Sequence, residues 1–249
     1  MKVVSLVAGV SSRLMPLTAD RHKSQLDVDG RPLIRWQLDA FGAAGVSEIV
    51  FITGHHGEQI RELGPSYNGI ALRYVDNPKY SSRNINYSLY LAREEAEGRP
   101  FICFEGDLLL HPAILKSLIT AHHENCIVVD PEPKSSMVDT LVVGRGDRAE
   151  RLWFADHQDL RSALKQPGVN ALGELVCAFR FGAAASRFLF ESLARSCFEG
   201  RTTLYDLISQ SFKVYETGCI TVGAHPWVEI DTARDLERAR SLAVHMRSP

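Results

Sequence analysis

The sequence predicts an α/β fold in which a Rossmann-like, mixed but mostly parallel sheet is flanked by helices. Strand-like apolar runs alternate with helical patterns through the first half of the chain, as they do in β-α-β units. The chain has 249 residues, of which 45% are hydrophobic and 23% are charged, an ordinary globular balance. No linker rich in Pro, Gly or Ser divides it, so we expect one domain rather than two.

The elements of the first half follow from the spacing of apolar residues. We predict strands at residues 2–7, 48–53, 70–75 and 101–105. We predict helices at residues 33–44, 57–63, 84–97 and 112–122, where apolar side chains recur on one helical face. Strands that alternate with helices in this way pair in parallel, and the helices cover both faces of the sheet.

The second half of the chain is less regular. We predict strands at residues 127–129, 140–143, 175–179, 213–216 and 220–222. We predict helices at residues 186–197, 203–212 and 231–244. Residues 1–249 are therefore interpreted as a single domain whose two halves meet near residue 125.

Composition excludes several classes of protein. The net charge is −2 and the isoelectric point lies near 6.5, so we expect no nucleic-acid partner, because such domains are usually basic. No apolar run reaches the roughly 18 residues of a membrane span. The five cysteines are widely spaced and form no CxxC pair, which favours a reduced, cytoplasmic protein. The oligomeric state is left open, and an oligomer is compatible with the sequence.

The segment after the first strand has the composition of a phosphate-binding loop. Ligands of open α/β sheets lie beyond the carboxyl ends of the strands. Small and hydroxyl-bearing residues occupy this end, namely Val7, Ala8, Gly9, Ser11 and Ser12. Arg13 offers a planar charged fork that suits phosphate oxygens, and Lys23 could bring a second cation. A strand and turn with two surface cations explains the same residues equally well.

Carboxylates occur at two places where a cation could be held. Asp107 follows the strand at 101–105, and a carboxylate at a strand end can bind a hard cation. Glu229 and Asp231 lie on one face if residues 227–231 are extended. Asp231 or the neighbouring Thr232 could instead cap the closing helix. Glu105 is interpreted as a solvated charge.

Three segments near the N-terminus carry a resemblance to a known family. Residues 6–18 are L-V-A-G-V-S-S-R-L-M-P-L-T, residues 22–26 are H-K-S-Q-L and residues 30–34 are G-R-P-L-I. They resemble the opening signature of the sugar-phosphate nucleotidyltransferases, L-A-A-G-x-G-x-R-L-x-P-L-T, followed by P-K and G-x-P-L-I. Ser11 replaces a family glycine and adds a side chain beside the triphosphate. His22 replaces a family proline, and we expect a looser turn before Lys23 because proline would fix φ.

The resemblance implies roles for the residues that match the signature. The loop from Val7 to Arg13 would bind the triphosphate of an NTP, and Arg13 and Lys23 would stabilise the transferring and leaving phosphates as catalytic residues. Asp107 and Asp231 would hold Mg²⁺. Residues 1–125 would then form a nucleotide-binding half, and residues 126–249 an acceptor-binding half.

Two further segments indicate a branch of this family. Residues 84–92 are N-I-N-Y-S-L-Y-L-A and residues 227–232 are W-V-E-I-D-T. They resemble the phosphocholine cytidylyltransferases and their relatives that activate 2-aminoethylphosphonate with CTP. This resemblance implies that Asn84 and Ser88 line the nucleotide cleft, whereas Ile85 departs from the branch asparagine. Candidate acceptor contacts are an acidic residue and two aromatic residues, namely Glu229, Tyr87 and Trp227.

Purely structural roles and other functions stay open for these residues. Asn84 could be a helix cap, and aromatic side chains such as Tyr87 and Trp227 are more often core residues. A sugar-1-phosphate nucleotidyltransferase that uses another NTP is the nearest rival. A catalytically inactive nucleotide-binding module is the rival from another class. Zinc is disfavoured, because His55-His56 and His122-His123 are neighbours without further ligands at suitable spacing.

Overall fold

The computed structural model describes residues 1–133, 138–154, 159–198 and 202–246. The strands in chain order are β1 (Lys2–Val7), β2 (Glu48–Thr53), β3 (Ser66–Tyr67), β4 (Ile70–Asp76), β5 (Phe101–Glu105), β6 (Leu108–Leu110), β7 (Asn125–Asp130), β8 (Thr140–Arg145), β9 (Arg148–Phe154), β10 (Ala171–Phe181), β11 (Thr217–Thr221) and β12 (Trp227–Glu229). The α-helices are α1 (Leu33–Ala43), α2 (Gly57–Arg61), α3 (Ile85–Leu91), α4 (Arg93–Ala96), α5 (Pro112–Thr120), α6 (Ala183–Ser196), α7 (Leu204–Ser211) and α8 (Ala233–Met246).

The predicted α/β fold is confirmed, and its sheet extends through both halves of the chain. The strand order is β3-β4-β2-β1-β5-β10-β7-β11-β9-β8. β1 pairs in parallel with β2 and β5, and β2 pairs in parallel with β4. β10 is antiparallel to both β5 and β7, so β7 runs in the same direction as β5. The parallel order that the sequence predicts is thus concentrated in the first half, and the second half is mixed.

The core forms because the first-half strands are apolar on both faces. Val3 and Val4 point to opposite faces of β1, and neither is exposed to solvent. Helix α1 buries Leu38 and Phe41 against this sheet, and the ring of Phe41 meets that of Phe104 edge-on at 4.9 Å. Among the described residues, no helix has the length and apolar character needed to cross a membrane.

The structure corrects two predicted elements. Residues 213–216 are not a strand, because they form turns that end α7: the backbone N–H groups of Val214 and Tyr215 both donate to the Ser211 carbonyl, at 3.1 and 2.8 Å. The helix predicted at residues 84–97 is two helices, α3 and α4, which meet at Ala92. Apolar periodicity continued through the junction, so the sequence pattern did not show the break.

A small second sheet brings the end of the chain back to the first half. β12 pairs antiparallel with β6, with Glu229 opposite Leu108. The N–H of Ile230 donates to the carbonyl of Asp107 at 3.0 Å, which extends this pairing by one step. Buried apolar residues hold α8 beneath the pair, including Leu14, Trp36, Leu109, Val228 and Leu236. The closing segment is therefore fixed beside the carboxyl end of β5.

Candidate active site

A cavity of about 190 Å³ lies at the carboxyl ends of β1 and β5. From the loop after β1 it is lined by Val7, Ala8, Gly9 and Ser11. From other segments that the sequence singled out it is lined by Lys23, Asn84, Ser88 and Asp107. The place is the one expected for a ligand of an open α/β sheet.

The loop after β1 is shaped by backbone contacts. The carbonyl of Ala8 accepts a hydrogen bond from the N–H of His55 at 3.1 Å, which fixes the loop to the end of β2. A Cβ atom added to Gly9 would meet nothing within 4 Å, so a ligand can approach the backbone there. Ser11 has φ 54° and ψ 45°, the left-handed region in which glycine costs least. This left-handed conformation explains why the family has glycine at this position, and it strains the backbone of Ser11.

Ser12 and Arg13 lie beside the cavity rather than in its wall. Both belong to a short 3-10 helix, Ser12–Leu14. The side chain of Arg13 is 54% exposed, and its Nη2 lies 2.8 Å from Oδ2 of Asp231. Arg13 is therefore held by a carboxylate from the far end of the chain, which also contacts Lys23.

Lys23 joins the two acidic residues that the sequence proposed as metal ligands. Its Nζ lies 2.9 Å from Oδ2 of Asp107 and 3.0 Å from Oδ1 of Asp231. The side chain is only 9% exposed. Burial acts to lower the pKa of Lys23, but the charges of Asp107 and Asp231 outweigh it and the pKa is raised. Lys23 stays an ammonium ion at neutral pH.

His22 does not loosen the turn that presents Lys23, contrary to the expectation from the missing proline. Its ring is buried, with Nε2 2.6 Å from the carbonyl oxygen of Val7 and Nδ1 3.0 Å from the N–H of Ser24. Since a carbonyl only accepts, Nε2 carries the proton and Nδ1 is the acceptor. Burial lowers the pKa of His22 to about 4, so the ring is neutral. Side-chain hydrogen bonds thus replace the stiffness of proline.

Three carboxylates meet next to Lys23. Asp107, Glu229 and Asp231 each offer an oxygen, and these oxygens lie within 4.8 Å of one another. Oδ1 of Asp107 is buried and has no hydrogen-bond partner among the described residues. Oxygen donors of this kind suit a hard divalent cation. The residues present therefore fit the predicted magnesium site.

Asp231 does not cap the closing helix. Thr232 does so instead: its Oγ1 accepts from the N–H of Asp235 at 3.3 Å, and Oδ2 of Asp235 accepts from the N–H of Thr232 at 2.9 Å. This reciprocal pair is a capping box. It leaves the Asp231 carboxylate to Arg13 and Lys23.

Glu105 is buried, not solvated as the sequence suggested. It is 8% exposed, and it accepts a hydrogen bond from the hydroxyl of Tyr205 at 3.2 Å. Burial, together with the charge of Asp107, raises the pKa of Glu105 to about 8. Burial and the same neighbour also raise the pKa of Glu229. Glu105 lines the cavity, and one of its oxygens lies within 4.8 Å of an oxygen of Glu229. We call these two residues the acidic wall, and only the fold reveals it, because their positions are far apart in sequence.

The helix α3 contributes a polar wall and an apolar position. Oγ of Ser88 accepts from Nδ2 of Asn77 at 2.9 Å, which fixes the Ser88 side chain at the cavity. Asn84 occupies the N-cap position of α3, but its side chain makes no capping hydrogen bond. Ile85 also lines the cavity, as do Tyr80 and Arg83, which the sequence analysis did not assign to the site.

The structure does not bring Tyr87 and Trp227 into the cavity wall. Tyr87 is a buried residue of α3, and its ring packs against that of Phe198, with ring centroids 5.9 Å apart. Trp227 is buried, and its Nε1 donates to Oδ2 of Asp130 at 2.7 Å. Both therefore match the core interpretation of aromatic residues better than a direct contact with an acceptor.

The chain is similar in sequence to known proteins. The chain is 32% identical over 186 residues to CMP-5'-(3-aminopropyl)phosphonate synthase of Streptomyces rubellomurinus. The aligned part covers 72% of this chain and 29% of that protein. The chain is also 38% identical over 95 residues to choline-phosphate cytidylyltransferase of Streptococcus pneumoniae. This alignment covers 38% of this chain and 40% of that protein. The match therefore spans less than half the length of these curated relatives.

A solved structure shows the same fold. That of CTP:phosphocholine cytidylyltransferase from Streptococcus pneumoniae superposes with a TM-score of 0.75 at 21% identity, over 97% of this chain and 98% of that one. Residues 3–172 match the MobA-like NTP transferase domain, and the matched part includes the β1 loop, Lys23 and Asp107. This match takes in more than half of the chain, and the chain belongs to the MobA-like NTP transferase domain family.

Proposed function

We propose that the protein transfers CMP from CTP to a small phosphorylated or phosphonate acceptor and releases pyrophosphate. The observation that carries the proposal is the position of Lys23, whose ammonium group touches both Asp107 and Asp231 at the cavity. A cation and two carboxylates at the carboxyl end of β1 are the components that nucleotidyl transfer needs. The names of the relatives support CTP and an aminophosphonate or phosphocholine as substrates.

The nucleotide would bind across the loop after β1. Open space over Gly9 lets backbone N–H groups approach phosphate oxygens, and Ser11 adds a hydroxyl to the same wall. Arg13 and Lys23 stand at one side of this space, where they can bind the β- and γ-phosphates of the leaving pyrophosphate. Asn84 and Ser88 also line the cavity, where they would contact the base and ribose.

Mg²⁺ would be held by Asp107 and Asp231, with Glu229 next to them. When bound, the ion would neutralise charge on the α-phosphate. Both carboxylates are engaged by Lys23 in the structure, and Asp231 is also engaged by Arg13. We propose that the triphosphate draws the two cations from the carboxylates onto its own oxygens.

The chain's contribution to the chemistry is positioning and charge. An oxygen of the acceptor phosphate or phosphonate attacks the α-phosphorus in line, and the bond from that phosphorus to pyrophosphate breaks. The acceptor oxygen is already ionised at neutral pH, so neither a protein nucleophile nor a strong general base is required. Lys23 and Arg13 stabilise the charge that develops on the leaving group.

The acidic wall favours an acceptor that carries an amine. Glu105 is buried and Glu229 is half-buried, and neither carboxyl group is in direct contact with a cationic side chain among the described residues. An ammonium group would offset the burial and the charge of Asp107, which raise the pKa values of both groups. This feature supports a phosphocholine-like or aminoalkylphosphonate-like acceptor over a neutral sugar phosphate.

A sugar-1-phosphate nucleotidyltransferase using another NTP remains the second candidate. Its support is Ile85, an apolar side chain in the cavity wall where the cytidylyltransferase branch has asparagine. An apolar side chain at this position cannot hydrogen-bond a base, so the choice of NTP is less constrained.

Pyrophosphate release with magnesium tests the proposal. The assay combines each of four NTPs with phosphocholine, 2-aminoethylphosphonate, 3-aminopropylphosphonate or a hexose 1-phosphate. We expect release with CTP and one amine-bearing acceptor. Release only with a hexose 1-phosphate would support the second candidate, and NTP binding without release from any pair would support an inactive binding module.

A further inference from the structure

His22 lies between the two parts of the site that would have to hold the triphosphate together. Val7, whose carbonyl oxygen meets Nε2 of the ring at 2.6 Å, is the last residue of β1 and the first of the cavity loop. Ser24, whose N–H and hydroxyl meet Nδ1 at 3.0 and 2.7 Å, lies in the same 3-10 turn as Lys23. The His22 ring is 3% exposed and itself lines the cavity.

The backbone of His22 is also held from a third side. Its N–H donates to Oε1 of Gln59 in α2 at 2.7 Å, and Nε2 of Gln59 donates to the carbonyl of Asp20 at 3.1 Å. The φ angle of His22 is −66°, the value that proline would impose. The turn thus has the geometry that a proline would give, although a proline could make neither the bond to Gln59 nor the bond to Val7.

We propose that His22 is a positioning residue for the nucleotide, because its ring links the β1 loop to the turn that carries Lys23. The inference rests on the proposed function, since it concerns how the same cavity holds an NTP. Without the Nε2 bond, the Val7 carbonyl is buried without this partner, and the loop is free to shift relative to the Lys23 ammonium group. The substitution of the family proline by histidine therefore adds a connection that proline lacks.

Two conservative variants separate this role from a merely structural one. His22→Gln can place an amide N–H near the position of Nε2 and keep the bond to Val7, but it loses the acceptor at Nδ1. His22→Asn can place its carbonyl oxygen near the position of Nδ1 and keep the bond to Ser24, but it is too short to reach Val7. If His22 only capped the turn, Asn would be the better replacement.

The matched control is His111, a second buried histidine whose Nδ1 also caps a helix, by accepting from the N–H of Ala113 at 3.2 Å. His111 is not among the residues that line the cavity in the described part of the chain. His111→Gln and His111→Asn therefore report what the loss of a capping histidine does to folding alone. The Tm of every variant is measured beside its substrate binding.

The experiment is a calorimetric titration of CTP into wild type and the four variants, with steady-state kinetics on the same preparations. The other three NTPs are titrated into wild type alone. We expect His22→Gln to bind CTP within about twofold of wild type, and His22→Asn about tenfold more weakly, as for one lost hydrogen bond. The KM of the His22 variants for the acceptor should stay near the wild-type value. Both His111 variants should bind CTP as tightly as wild type does.

If wild type binds CTP and His22→Asn binds it as well as His22→Gln does, the positioning role is wrong and the proposed function stands. If wild type binds none of the four NTPs, the proposed function fails and this inference fails with it.

Discussion

The cationic and the acidic sides of the cavity are assembled in different ways. Arg13 and Lys23 come from one stretch near the N-terminus, within ten residues of each other. The acidic side joins Asp107 to Asp231, and the ion pair between Lys23 and Asp231 spans 208 positions. The first side is a local motif, whereas the second exists only because β12 pairs with β6 and carries Glu229 and Asp231 to the end of β5.

Because the two sides are held in place differently, substitutions on them should have different effects. A change on the cationic side alters a loop that short-range hydrogen bonds hold in place. A change on the acidic side removes a charge whose position is fixed by a distant strand pair, so the fold should survive while the site loses its function. Substitutions on each side therefore test the two sides separately.

Removal of either charge of the acidic pair should give the largest loss. Asp107→Asn and Asp231→Asn keep the shape of the side chain but remove the charge that faces Lys23 and the cation. We expect kcat to fall by on the order of 10³ in each variant, with circular dichroism unchanged. Asp147→Asn, an exposed carboxylate on the turn between β8 and β9, is the control. Near-normal turnover in either cavity variant would remove the acidic pair from the mechanism.

Neutralisation of the acidic wall should act on the acceptor alone. Glu229→Gln removes a half-buried carboxyl group that we place against the ammonium group of an acceptor. We expect the KM for an aminophosphonate to rise about tenfold while the KM for CTP stays constant. Glu237→Gln, on the exposed face of α8, is the control and should change neither constant. Equal effects on both KM values would place Glu229 at the nucleotide instead.

The cationic side is the part of the site that the sequence alone could predict. The loop after β1, Lys23 and the cavity position could be predicted because a contiguous pattern after a strand suffices to locate them. The acidic side could be predicted only in part: Asp107 and Asp231 match motif positions, but the sequence favours a solvated Glu105. Its burial depends on Tyr205 from α7, and no local pattern reports that contact.

Aromatic residues illustrate the same limit. Trp227 stands two positions before Glu229, and a strand would place both on one face. The structure gives them different neighbours, because the Trp227 indole is drawn to Asp130 at the end of β7. Asp130, which accepts this hydrogen bond, lies 97 positions from Trp227 in the sequence. The sequence pattern therefore could not specify whether Trp227 contacts the core or a ligand.

The pH dependence of stability tests the neutral state of His22. Burial lowers its pKa in the folded state from 6.5 to about 4, so the unfolded state binds a proton more readily. The contribution of His22 to the free energy of unfolding should be complete above pH 6.5 and should be lost as the pH falls toward 4. Urea midpoints of wild type should therefore drop more steeply over this range than those of His22→Gln. Parallel curves for the two proteins would mean that His22 titrates normally.

The smallest effect is expected at Ser11. Ser11→Gly relieves a left-handed backbone at φ 54°, and the gain is partly offset by the greater freedom of glycine in the unfolded chain. We expect the free energy of unfolding to rise by about 0.5 kcal/mol, as measured by urea denaturation. Ser12→Gly, in the adjacent 3-10 helix, should instead lower it. A decrease for Ser11→Gly would show that the serine side chain contributes more than its backbone strain costs.

The central claim is that the cationic and acidic sides act together to link CMP to the acceptor. Its most direct test is ³¹P nuclear magnetic resonance of the wild-type protein with CTP, magnesium and 2-aminoethylphosphonate or phosphocholine, beside Asp107→Asn. We expect new coupled resonances of a linkage between the α-phosphorus and the acceptor, together with pyrophosphate, in wild type only. CTP that is bound but unchanged, or pyrophosphate that appears without a linked product, would contradict the claim.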